Sequence, residues 1–123
     1  MRYWFKYNVV WNGSVGELPN VALASMAPFY TNCGTGQYVI GNENTYLGYI
    51  DCDSIENANI VINNLSRFSA VLITDQEVCT HIKRIIPIGS TIKDTISNAP
   101  KEVTEIKMVN GNPEFTTIDK PGN

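Results

Sequence analysis

One histidine, His81, stands among 123 residues. That scarcity excludes metal sites built on several imidazoles and any serine triad that does without His81. Cys33, Cys52 and Cys79 are odd in number, far apart and form no C-x-x-C pair, so neither a disulfide framework nor a cysteine zinc site is predicted. Reduced thiols are the expectation, in the cytoplasm or in a particle assembled there. Charge is sparse as well: Asp, Glu, Lys and Arg make up 17% of the chain, and the net charge is −3. An acidic balance argues against a protein that holds nucleic acid mainly through phosphate contacts, and only Lys83 and Arg84 are adjacent bases. No apolar run is long enough to span a bilayer. Arg2 is followed by aromatic and polar residues, not by the apolar core of a signal peptide. No membrane partner is expected, and neither an internal repeat nor a low-complexity segment is present.

Leu is scarce too. It occurs five times, against 14 each for Ile and Asn. β-branched side chains suit strands, and Asn suits turns and caps, so the skew favours a sheet over a helical bundle. An AT-rich coding sequence would produce the same skew. With 43% hydrophobic residues, a chain of this length forms one domain that buries about two thirds of its unfolded surface.

The clearest pattern lies between Asn44 and Pro87. Thr45 to Ile50 is a short aromatic and β-branched run that reads as a strand, ended by Asp51-Cys52-Asp53. Asp53 and Glu56 make a capping-box pair, and Ile55, Ala58, Val61, Ile62 and Leu65 form one apolar helical face from about Ser54 to Ser66. Phe68 to Ile73 is nearly continuous and apolar, as a doubly covered strand would be. Thr74 and Glu77 repeat the capping box ahead of a second stripe at Val78, Cys79, Ile82, Ile85 and Ile86, and Pro87 stops that helix. The centre therefore reads strand, helix, strand, helix. If the two strands are parallel neighbours, the link between them is a right-handed crossover.

On the N-terminal side, Arg2 to Trp11 alternates as a strand with aromatic residues on both faces, and Asn12-Gly13 signals a turn. Pro19 to Tyr30 suits a short helix bounded by Pro19 and Pro28, with a loop or strand as alternatives. Thr31 to Gly36 reads as a turn-rich loop, Gln37 to Ile40 as a short strand, and Gly41 to Asn44 as a hairpin loop. Beyond Pro87 the pattern loosens into an irregular connection. Glu102 to Val109 and Glu114 to Ile118 then flank Asn110 to Pro113 as a β-hairpin, with a loose tail from Lys120.

The fold class predicted is α+β. It comprises a mixed β-sheet of four or five strands with two amphipathic helices on one face, a βαβ core compatible with a ferredoxin-like arrangement, and a C-terminal β-hairpin. Residues 1–98 read as the domain and 99–123 as a hairpin arm and tail.

Three groups of residues can carry chemistry or contacts. Asp51, Asp53 and Asp75 fall at the carboxyl ends of the two central strands, where ligands tend to bind, and their oxygens would suit Mg²⁺ bridged to a phosphate. Asp53 and Asp75 also stand where a helix wants an N-cap in any case. Cys33, Gly34, Thr35 and Gly36 form a glycine-bearing loop that can turn backbone N–H groups toward a small ligand, although it lacks the lysine of a P-loop and the third glycine of a dinucleotide fingerprint. Tyr3, Trp4, Trp11, Met108 and Phe115 are the interface candidates, because aromatic side chains favour binding patches and an isolated hairpin needs a partner to pack on. Cys79 and His81 point about 200° apart on a helix and make no nucleophile–base pair.

The leading expectation is a non-enzymatic structural or assembly subunit that forms a homo-oligomer, with other protein subunits as further partners, as in a phage or similar particle. A small ligand- or nucleotide-binding regulatory or inhibitor module is the alternative. A Mg²⁺-dependent phosphate-handling enzyme is the third reading, and the only one that involves a cofactor.

Overall fold

A computed structural model describes residues 1–17, 19–40, 45–94 and 96–120. The chain makes two compact units, Met1–Asp75 and Gln76–Asn123. In the first, the path runs through β1 (Arg2–Asn8), β2 (Val10–Asn12), β3 (Val15–Glu17), α1 (Asn20–Ala24), β4 (Asn32–Ile40), β5 (Thr45–Asp51), α2 (Ile55–Asn63) and β6 (Val71–Ile73). The expected strand over Arg2–Trp11 is thus two strands broken at Val9, and β2 folds back on β3 through a turn in which Gly13 takes a φ of +67°.

Four strands form one sheet in the order β4-β5-β1-β6, with every neighbouring pair antiparallel. Two expectations are corrected here. The sheet is antiparallel, not mixed, and β5 and β6 are not neighbours. They run in the same direction, but β1 lies between them, so the β5-α2-β6 crossover is split by the first strand. The physical reason is the apolar pattern of β1: Tyr3, Phe5 and Tyr7 alternate with a buried Trp4, which suits a central strand with partners on both edges.

One face of this sheet carries the core. Phe5, Tyr7 and Ile50 pack with Leu23, Met26, Ala58, Val61, Ile62, Leu65 and Phe68 in one buried cluster. Its helical cover comes from α1 and α2. The second amphipathic helix that was expected is α3 (Asp75–Ile85); all but its first residue belong to the other unit, and Val78 and Ile82 on it are buried. At the start of α2, Ser54 rather than Asp53 is the N-cap: its Oγ accepts from the Asn57 N–H at 3.2 Å. The strand expected over Phe68–Ile73 is reduced to β6, because Ser66–Phe68 is a tight 3₁₀ turn closed by Ser69 at a φ of +55°.

The second unit adds β7 (Thr91–Lys93), β8 (Pro100–Val109) and β9 (Asn112–Asp119), an antiparallel sheet in that order. The predicted hairpin is present. Its turn is the pair Asn110 and Gly111 with φ of +52° and +80°, so Asn112 and Pro113 belong to the strand. β8 carries one extra residue between Val103 and Glu105. The insertion leaves Thr104 and Glu105 both exposed and brings Val103 and Ile106, three apart, to the same buried face. The irregular connection expected after Pro87 contains β7. The hairpin loop expected at 41–44 and the tail at 121–123 lie outside the described residues.

Candidate functional site

β4 was expected to be a loop over Thr31 to Gly36 and a strand only from Gln37. It is one strand with a wide irregularity: Gly34 faces Tyr49 and Tyr38 faces Leu47, so three residues of β4 oppose Gly48 alone. Gly36, at a φ of +69°, turns the chain at this bulge. The candidate ligand residues Cys33, Gly34, Thr35 and Gly36 are therefore held together on a bulged edge strand. Thr35 is tied down by a hydrogen bond from its hydroxyl to Asn20 Oδ1 at 2.8 Å.

Beside this bulge lies a group whose setting the sequence did not disclose. Tyr7 is 1% exposed, and among the described residues its hydroxyl makes no hydrogen bond of good geometry, although the Gly36 backbone and the Thr35 side chain lie close enough to interact with it. Burial raises the phenol above its ordinary pKa, opposed by the nearby Gly36 backbone and Thr35. Its ring stacks on that of Tyr46, directly opposite in the β1–β5 ladder, with centroids 5.8 Å apart.

The second cluster is built from alternate positions on the opposite face of the same sheet. Arg2 and Asp51 are paired across β1 and β5, where Nε donates to Oδ1 at 2.8 Å and Nη2 to Oδ2 at 3.0 Å. The Arg2 guanidinium also lies 3.7 Å from the centre of the Tyr49 ring, and Tyr49 meets Trp4 at 5.3 Å. Hydrogen bonding to Arg2 holds the Asp51 carboxyl below its ordinary range, and the same contact raises Arg2. Both Asp51 oxygens thus already accept from a cation, so ligating a metal would mean giving up this pair. Asp53 and Asp75 are exposed, the first just after β5 and the second at the start of α3. Among the described residues, no three of His, Cys, Asp and Glu converge on a common point.

The interface candidates are distributed differently. Tyr3 packs against the core cluster, Trp4 is buried, and Trp11 is 53% exposed on β2. Met108 and Phe115 are half-buried on the inner face of the β8–β9 hairpin. The tyrosines, Tyr7 and Tyr49 among them, are aromatic binding candidates by sequence, but the pairings of Arg2, Tyr7 and Tyr49 escaped that reading because their partners lie about 40 to 50 residues away, and only the strand register brings them together. The alternation in β1 and β5 was the one available signal, and it needed a pairing frame to be useful. No family model, curated protein or solved structure matches the chain.

Proposed function

We propose that this protein is a non-enzymatic structural or assembly subunit that works by self-association, in the cytoplasm or in a particle assembled there. The observation that carries the reading is the second unit's sheet. Three strands, one of only three residues, leave Met108, Pro113 and Phe115 only half-buried on the inner face and Ile118 52% exposed on the other. A sheet this small gains stability from further cover, and a neighbouring copy supplies it without other partners. Light scattering on the full chain over a concentration series tests this: mass should rise toward an integer multiple of the monomer, and a monomer at every concentration overturns the proposal.

We read the first unit as ferredoxin-like. Support comes from its two interleaved strand–helix–strand segments, β1-α1-β4 and β5-α2-β6, each split by a strand of the other. That fold serves many functions and adds nothing about activity.

The alternative, a small ligand- or nucleotide-binding module, is favoured by one observation, the buried Tyr7 hydroxyl at the β4 bulge, which makes no hydrogen bond of good geometry among the described residues. A ligand there should raise the melting temperature in a thermal-shift screen of nucleotides, and Tyr7→Phe should remove the rise. The Mg²⁺-dependent enzyme has less support, since Arg2 already engages Asp51.

A further inference from the structure

Sheet edges expose unpaired backbone groups, and proteins blunt them with bulges, short strands or charge. Three of the four outer strands in the two larger sheets are blunted in this way. β4 is bulged around Gly36, while β6 and β7 are three residues each and β7 ends in Lys93. β9 differs: it runs eight residues with no insertion of its own.

The hairpin's hydrogen-bond phase shows which groups β9 leaves open. The two-residue turn closes on the Val109–Asn112 pair, and at the far end the Lys120 N–H donates to the Pro100 carbonyl at 3.3 Å. Even-numbered residues of β9 therefore direct their backbone groups to β8. Phe115, Thr117 and Asp119 direct theirs to the outer edge, which no other strand pairs among the described residues.

We propose that this edge pairs antiparallel with β9 of a second copy of the chain, about a two-fold axis through Thr117, joining the two three-stranded sheets into one of six. The inference rests on the self-association reading and names its surface. In this register Thr117 faces Thr117, Phe115 faces Asp119, Thr116 covers the exposed Ile118, and Glu114 stands opposite Lys120 twice by symmetry. Glu114 already faces Lys107 across the hairpin, so charge alternates across the joined sheet. Lys120 Nζ, which donates to Thr91 Oγ1 at 2.6 Å, would exchange a neutral acceptor for a carboxylate. The chosen register also sets Phe115 against Asp119, which Lys101 already engages, and it is preferred because the neighbouring registers lack the Glu114–Lys120 pair. An axis at Thr116 sets Glu114 against Ile118, and one at Phe115 places Pro113, which has no N–H, opposite Thr117.

The test is light scattering over a concentration series on the full chain, Thr117→Pro, Lys120→Glu, Glu114→Lys and the double exchange of the last two. Proline at 117 removes only an N–H that faces the free edge, so the hairpin should survive, with circular dichroism as the check. The wild type should approach twice the monomer mass, Thr117→Pro should stay monomeric, each charge reversal should weaken the dimer about tenfold, and the double exchange should restore it. A wild type that associates while all variants associate equally overturns the β9 edge but leaves self-association standing. A monomeric wild type overturns both. If Thr117→Pro fails to fold, loss and rescue by the exposed charge pair decide the matter alone.

Discussion

Gly48 is buried between two neighbours: a Cβ there would lie 2.8 Å from Phe5 Cζ and 2.9 Å from the Gly34 carbonyl oxygen. The second contact is backbone, which cannot swing aside, so Gly48→Ala should cost about 2 kcal/mol in urea denaturation. Asp51 tests the ion pair. Its carboxyl is held below the ordinary value in the folded chain, so the stability it contributes is complete above the unfolded pKa, near 4, and is lost as pH falls through the folded value. Asp51→Asn should therefore lower stability by about 1 kcal/mol at neutral pH and flatten the acid limb of the stability–pH curve. A parallel acid limb in the variant would show that Arg2 contributes nothing. Tyr7→Phe should be neutral or slightly stabilising in the ligand-free protein, because it deletes a buried hydroxyl that makes no hydrogen bond of good geometry among the described residues. A loss above about 1 kcal/mol would mean that the hydroxyl is bonded in solution.

At the scale of elements, the caps and turns make the sharpest expectations. Ser54→Ala should cost about 1 kcal/mol and Asp53→Ala much less, since Ser54 Oγ accepts the helix N–H. Equal losses would restore Asp53 to the cap. This one-residue shift shows where local reading reaches its limit: Asp53 and Ser54 are both good caps, and only backbone angles choose between them. The helices, β5 and the hairpin were legible because their signals are local, in apolar period, cap chemistry and the Asn110-Gly111 turn. Only the second half of β4, Gln37 to Ile40, was legible; the first half was not, since two glycines read as a loop when no partner strand is known. Tyr49 supplies what the sequence hid there: its ring lies over Gly34, so close that a Cβ would fall 2.4 Å from it, and covers a glycine that would otherwise weaken the strand. Strand order was also illegible, because it depends on pairings with long loops between them.

For the whole molecule, the self-association proposed above would link folding to concentration. A partner that binds only the native state stabilises it by mass action, so the melting temperature should rise with protein concentration. A concentration-independent midpoint in calorimetry would contradict the assembly reading. Hydrogen exchange should be slowest for amides of β1 and β5, the two inner strands of the four-stranded sheet, and fastest near the Asn110-Gly111 turn.

The place of β1 between β5 and β6 also bears on how the chain is made. β1 is synthesised before either of its neighbours, which begin at Thr45 and Val71. Rich in aromatic side chains, it waits unpaired until β5 has been made through Asp51, and its other edge stays open until the segment through Ile73 follows. The first unit is thus completed by its earliest strand and its latest one meeting, a non-local closure that slows folding and lengthens exposure on the ribosome.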